Sequence, residues 1–167
     1  MSTDATPPFD EGKAQRWFAV EANNLAWDLL ERAGRSAAET ERMLHAAHAA
    51  CFHWLAVGTP LNHLRALVLL SAASLAAGPQ ETAVAYGQQG VELLGRVADA
   101  TAFDRATAFA AVAAAVSAVS GRRTGEIGAA VRQARAAADG LTDPHDRATF
   151  ARLFPIVAPR DGGGDAS

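Results

Sequence analysis

The sequence predicts a single all-α domain built from antiparallel helical hairpins. Alanine, which has the highest intrinsic helix propensity, makes up about a quarter of the 167 residues. No segment shows the alternation of Val, Ile, Thr and Tyr that indicates a strand. Turn segments containing Gly or Pro divide the chain into seven helix-sized stretches. The connections are short, so successive helices are expected to be antiparallel neighbours.

Local signals mark where the helices begin. Ser36 is followed three residues later by Glu39, which is the spacing of a capping box. Thr59 precedes Pro60, and proline suits the first position of a helix, where its missing N–H has no partner to lose. Pro79 is expected to begin the fourth helix in the same way. The seven predicted helices span about 10–32, 36–57, 60–78, 79–95, 101–121, 124–140 and 143–154.

The predicted helices form one domain over residues 10–154, because a chain of 167 residues suits a single core. Segments 1–9 and 155–167 contain proline, glycine and small polar residues. We expect both segments to be disordered tails.

Composition and charge argue against several classes of function. The net charge is −3, and Lys13 is the one lysine, so no basic stripe is available for nucleic acid. The longest apolar run without a charge, 106–120, is shorter than a membrane span needs. The polar, acidic N-terminus does not resemble a signal peptide, and the single Cys51 fits a reducing compartment. We therefore expect a cytoplasmic protein that has no cofactor and binds neither nucleic acid nor membrane.

Small residues recur at fixed positions in the third and fourth helices. Ser71 lies in the third helix, Gly78 at the turn, and Ala83, Gly87 and Gly90 in the fourth. This arrangement resembles one unit of the tetratricopeptide repeat. Gly87 departs from the family pattern, which usually has an aromatic ring at that position. We therefore expect these two helices to pack more tightly than in the family.

The fifth and sixth helices repeat this plan 43 residues later, counted from Gly78 to Gly121. Ala114, Ala134 and Ala137 take the small positions, and segment 48–61 is similar to part of small bacterial proteins of this type. The resemblance covers residues 61–140. It implies a short right-handed solenoid in which the first helix of each pair lines a concave surface suited to a protein or peptide partner.

The first helix is amphipathic when wound at 100° per residue. We expect its apolar face to pack on the second and third helices. That face consists of Phe18, Ala22, Leu25, Ala26 and Leu29.

The opposite side of the first helix carries two tryptophans among acidic residues. In the implied solenoid this side would line the concave groove, close to a histidine at the start of the third helix. Aromatic and carboxylate groups suit a peptide or a small polar or cationic ligand. Alternatively, the tryptophans pack under the N-terminal tail or against a second copy of the chain. The predicted binding residues are Trp17, Glu21, Asn24, Trp27, Asp28 and His63.

The second helix carries a cluster of glutamate and histidine. Glu41, His45 and His48 project from one side, and imidazole and carboxylate groups at this spacing can share a metal ion. No other helix offers a matching set, so we assign no metal ligand. The same side could be plain surface or a homodimer interface, because Phe52 lies among the histidines. This second candidate site or interface consists of Glu41, His45, His48, Phe52 and His53.

No catalytic arrangement of Ser–His–Asp, Cys–His or paired carboxylates can be assembled, and catalytic residues stay unknown. The leading hypothesis is a helical-repeat binding or scaffold protein that recognises a peptide, protein or small ligand in its concave groove. Two alternatives stay open. One is a small metalloprotein or enzyme that uses the cluster on the second helix, and the other is a homodimeric structural or regulatory subunit.

Overall fold

The computed structural model describes residues 9–157, which form seven helices and no strand. The predicted all-α class is therefore confirmed for this part of the chain. Most of the two predicted tails, at 1–8 and 158–167, lies outside the described residues. The helices are α1 (Glu11–Glu31), α2 (Ala37–Val57), α3 (Pro60–Ala77), α4 (Gln80–Leu94), α5 (Ala102–Ala118), α6 (Thr124–Ala138) and α7 (Pro144–Leu153).

Local capping explains most helix starts. The capping box of Ser36 and Glu39 forms as predicted, and Thr59 caps α3 with Pro60 as its first residue. Pro79 differs from the prediction, because it precedes α4 and does not belong to it. Its φ of −76° and ψ of 75° are those of a tight three-residue turn, closed by the bond from the Gln80 N–H to the Gly78 carbonyl.

The helices pack against their neighbours along the chain, and the odd-numbered helices also pack against one another. Each helix from α1 to α5 contacts the next one, as expected for antiparallel hairpins. In addition, α1 contacts α3, α3 contacts α5, and α5 contacts α7. The odd-numbered helices therefore adjoin one another, and α3 and α5 are the most central because each contacts four other helices.

The core consists largely of alanine and medium-sized apolar side chains. One buried cluster joins α1, α2 and α3, and a larger one joins α3 to α7. The larger cluster continues to Phe154 and to the fully buried Val157, beyond the predicted domain end at 154. Ala26, Leu29 and their neighbours on α1 are packed as predicted.

Phe18 departs from the predicted apolar face of α1. Its side chain is 48% exposed, although its ring stacks on His53 of α2. Ala19 takes the buried position instead and packs with Trp54 and Ala66. The reason is that a small side chain allows α1 to approach α3 closely at this point, which leaves the larger ring at the edge of the contact.

Helix α3 is the one helix within residues 9–157 that is long and apolar enough to cross a membrane, with a mean hydropathy of 1.2 over 18 residues. Its contacts with four other helices provide a second explanation for this composition, because a central core helix is apolar on several sides.

Gly87 lies where α4 packs against both α3 and α5. It is buried, and a Cβ atom there would lie 3.0 Å from Val112 Cγ2 on α5 and 3.2 Å from Ser71 Oγ on α3. Gly90, one turn later, is also buried, but its Cβ would meet nothing closer than 3.7 Å. A side chain at Gly87 would therefore crowd α3 and α5, so the small size of glycine suits this position.

Substitution by alanine is expected to change the stability of the fold differently at these two glycines. Gly87→Ala should lower the free energy of unfolding by about 1–2 kcal/mol, because overpacking outweighs the gain in helix propensity. Gly90→Ala should leave it unchanged or raise it by up to about 1 kcal/mol. Urea unfolding of both variants at pH 7 measures the difference. Equal stability of the two would show that α4 can move away from α5 without cost.

Candidate functional site

The odd-numbered helices line two adjoining cavities that are partly open to solvent, each with a volume of about 410 Å³. The first cavity is bounded by α1, α3, α5 and α7, and so is the second. Trp27, Glu31 and Leu153 line both, so these three side chains separate one cavity from the other. No even-numbered helix contributes to either cavity.

Helical spacing brings the lining residues to one side of each helix. On α1, Asn23, Trp27 and Glu31 are spaced by four residues and form a single stripe. On α3 the lining positions 64, 65 and 68 follow the same i, i+1, i+4 pattern as positions 103, 104 and 107 on α5. Both helices therefore present corresponding turns to the first cavity, 39 residues apart.

A salt bridge joins α3 to α5 in the wall of the first cavity. Arg65 donates from Nε to Oδ1 of Asp104 at 2.8 Å and from Nη2 to Oδ2 at 3.1 Å. The carboxylate is 3% exposed, whereas the arginine side chain is 53% exposed. The pair thus consists of a buried carboxylate and a half-exposed arginine that lines the cavity. Two parallel hydrogen bonds fix the plane of the guanidinium as well as its position.

Thr101 supplies further donors to the same carboxylate. Its backbone N–H and its hydroxyl donate to Asp104 Oδ2 at 3.0 and 2.8 Å, which completes a capping box at the start of α5. Burial opposes ionisation of Asp104, but the hydrogen bonds from Arg65 and Thr101 outweigh it and lower the pKa of Asp104 below its ordinary value. The hydrogen bond to Asp104 likewise raises the pKa of Arg65. Both groups are therefore charged at neutral pH.

A second ion pair crosses between the two ends of the described chain. Arg152 of α7 donates from Nη1 to Oε2 of Glu31 at the end of α1. The pair lies beside Trp27 and Leu153, where the two cavities meet. The pair therefore joins the end of α1 to α7 at the boundary between the cavities.

Of the predicted binding residues, Trp27 alone lines the cavities. Trp17, Glu21, Asn24 and Asp28 are exposed on α1 and line neither cavity. His63 is half-buried and bonds through Nε2 to the carbonyl of Trp54 at 2.8 Å, so it contacts the end of α2. The structure therefore separates Trp27 from the other five. They lie on the outer side of α1 or beside α2.

The residues of the second candidate site point in different directions. His45 approaches Glu41 to 3.9 Å, with both side chains more than three-quarters exposed. His48 contacts the ring of Tyr86 on α4, and His53 bonds to Gln15 of α1. Among residues 9–157, no group of three or more His, Cys, Asp or Glu side chains is placed to hold a metal ion. The spacing along α2 therefore does not produce a common ligand set.

Exposed aromatic rings form a continuous surface on α1 and α2, which we name the aromatic face. It consists of Trp17, Phe18, Phe52 and His53. Neighbouring rings lie 5.0–5.4 Å apart from Trp17 through Phe18 and His53 to Phe52. Trp17 is 58% exposed and Phe52 is 67% exposed. Contiguous exposed rings of this kind are typical of interaction surfaces.

Arg65 and Asp104 were not identified from the sequence, although each has a local signal. Arg65 is the one charged residue in α3, and a lone charge on an otherwise apolar helix requires a partner or solvent. Asp104 stands three residues after Thr101, which is the spacing of a capping box. What the sequence cannot supply is their pairing, because 39 residues separate them.

No protein-family model matches the chain, and no curated protein or solved structure is significantly similar to it.

The lowered pKa of Asp104 predicts how stability depends on pH. A carboxyl group with a lower pKa in the folded state stabilises the fold above its unfolded pKa of about 4, and this contribution is lost as the pH falls through the folded value. Asp104→Asn should therefore cost about 1–3 kcal/mol at pH 7 and progressively less below pH 4. Urea unfolding between pH 2.5 and 7 measures the difference.

The matched control is Asp28→Asn, which removes an exposed carboxylate and should keep the wild-type profile. A constant difference between wild type and Asp104→Asn across this pH range would contradict the assigned role of the ion pair.

Proposed function

We propose that the seven helices form a short right-handed stack of tetratricopeptide-like hairpins. Two observations support this proposal. Odd-numbered helices contact one another along the chain in addition to their hairpin partners. Five of the small positions that carry the resemblance are also buried, namely Ser71, Ala83, Gly87, Gly90 and Ala134, whereas Ala114 and Ala137 are half-buried. In such a stack the first helix of each pair lines the concave side, which corresponds here to α1, α3 and α5.

The function proposed for the protein is recognition of a peptide, a protein segment or a small ligand in this concave groove. The observation that carries the proposal is that both cavities are lined by odd-numbered helices alone. Their volume of about 410 Å³ each falls within the range of ligand sites. Apolar walls with a few fixed polar groups are also typical of such sites.

Trp27 is the central contact residue of the proposed groove. It is half-buried against the core of α1, α2 and α3 and lines both cavities, so a ligand in either one would touch it. Leu64, Val68 and Phe103 provide the apolar floor of the first cavity, and Arg65 provides its charged group. A ligand in this cavity would therefore be mostly apolar with one polar end.

A pair of tryptophan variants tests the position of the site. Trp27→Ala should weaken ligand binding at least about tenfold, because it removes a buried aromatic contact, whereas Trp17→Ala should leave binding unchanged. Both variants are compared with wild type by amide chemical-shift perturbation during a screen of small aromatic and peptide fragments.

The same spectra locate the site directly. Binding in the groove should shift amide signals of α3 and α5 around Val68 and Thr107. Shifts confined to the outer side of α1, lost in Trp17→Ala and kept in Trp27→Ala, would refute the groove and favour the stripe of Trp17 and Asp28. Circular dichroism establishes that both variants stay folded.

A homodimer is a second candidate, favoured by the aromatic face. Three exposed rings and the half-buried His53 between them would be buried if two copies met through α1 and α2. Leu55 extends this surface one turn beyond Phe52 and is 66% exposed. Such a dimer would leave the groove open, because the cavities lie on the side of α1 that carries Trp27.

The dimer predicts that a single charge on the aromatic face dissociates it. Phe52→Glu should convert wild-type dimers to monomers, since a carboxylate would be buried without a partner. Ile156→Glu is the matched control, because Ile156 is exposed but lies in another part of the chain. Light scattering over a range of concentrations measures both, and monomeric wild-type protein at high concentration would exclude this interface.

A further inference from the structure

We propose that the first cavity binds the carboxylate of a small organic acid, with Arg65 as the residue that holds this group. The inference rests on the proposed groove and adds the chemical class of its ligand. The acid would carry an apolar body the size of one aromatic ring or a branched alkyl chain. Three features of the cavity lead to this class.

The first feature is the orientation of Arg65. Its Nε and Nη2 are engaged by Asp104, whereas Nη1 has no hydrogen-bond partner among residues 9–157. Because the guanidinium is planar, fixing one edge on Asp104 also fixes the direction of the other edge. Arg65 lines the cavity, and its side chain is 53% exposed. The remaining donors are thus held ready for a second oxygen ligand.

The second feature is the balance of charge around this guanidinium. Asp104 receives hydrogen bonds from the N–H and hydroxyl of Thr101 as well as from Arg65. It also lies in the first turn of α5, where the helix dipole stabilises a negative charge. Asp104 is thus stabilised by two neutral donors and the start of α5 as well as by Arg65, and Asp99 is a further carboxylate near enough to Arg65 to help raise its pKa. The other carboxylate of the cavity, Glu31, is engaged by Arg152. A second anion can then approach Arg65.

The third feature is the combination of size and polarity. Trp27, Leu64, Val68, Phe103 and Leu153 give the cavity mainly apolar walls, and its volume is about 410 Å³. This space suits one ring or branched chain with a short linker. An amine at the same end of the ligand would face the guanidinium and be repelled, and a neutral amide would lose the charge-assisted hydrogen bonds.

Three probes that share one body test the ligand class. They are 3-phenylpropionate, 3-phenylpropanamide and 3-phenylpropylamine, and each is titrated into the wild-type protein by amide chemical-shift perturbation at pH 7. The acid should bind at least about tenfold more tightly than the amide, and the amine should bind more weakly than both. Signals of α3 and α5 around Val68 and Thr107 should move with the acid.

Two arginine variants test the residue. Arg65→Lys keeps a positive charge beside Asp104 but loses the planar fork, so it should stay folded and bind the acid about tenfold or more weakly. Arg105→Lys makes the same change at an exposed position on α5 that lines neither cavity, and it should bind as wild type does. Circular dichroism and thermal unfolding of both variants exclude a loss of fold.

The outcomes distinguish this inference from the proposed groove. If the amide binds as tightly as the acid and shifts the same signals, the groove stands and the carboxylate assignment is wrong. If Arg65→Lys binds the acid as wild type does, Arg65 is not the holding residue and the inference falls. If none of the three probes shifts the signals of α3 or α5, the inference also falls, while binding of another fragment in the groove would still support the proposed function.

Discussion

Close approach of the helix backbones is the constraint on which the rest of this structure depends. α3 can contact four other helices because the contacts are made by residues such as Ala66, Ala73 and Gly87, which add little width. The same small residues explain the cavities. On α3 and α5, Ala72, Ala76, Ala111 and Ala114 line the second cavity, where larger side chains would fill it. The tight packing between helices and the open space in the second cavity thus both result from the high content of small residues.

The Arg65–Asp104 pair connects this packing to the proposed site. A buried carboxylate requires partners, and Asp104 obtains them from the start of its own helix and from α3. The pair therefore holds α3 and α5 in register at the turns that face the first cavity. Because the arginine side chain stays half-exposed, one edge of its guanidinium can pair with Asp104 while the other edge is available to the proposed ligand. Replacing Arg65 by alanine would remove its structural and binding roles together. The change to lysine is more informative, because it keeps the positive charge beside Asp104 and removes only the planar fork.

Local signals in the sequence predicted the helices well, whereas contacts between distant residues were not predictable. The starts of α2 and α3 follow from Ser36, Glu39, Thr59 and Pro60, which act within four residues. The predicted stripe on α1 contained Trp27, but wound as an isolated helix it could not show that Trp27 turns towards α3 while Trp17 turns outward. That distinction depends on Ala19 and Ala26 facing the core, and hence on where α2 and α3 lie.

The ion pair between the two cavities differs in kind from the apolar contacts that line them. Arg152 and Glu31 are both substantially exposed, and exposed ion pairs contribute at most about 1 kcal/mol. α7 is held instead by Phe150 and Phe154, which are buried in the core that α3 to α7 share. The backbone of α7 is therefore fixed by apolar burial, while the side chains at the boundary between the cavities are held weakly. Arg152 and Glu31 can consequently rearrange at the boundary between the cavities without α7 leaving the core.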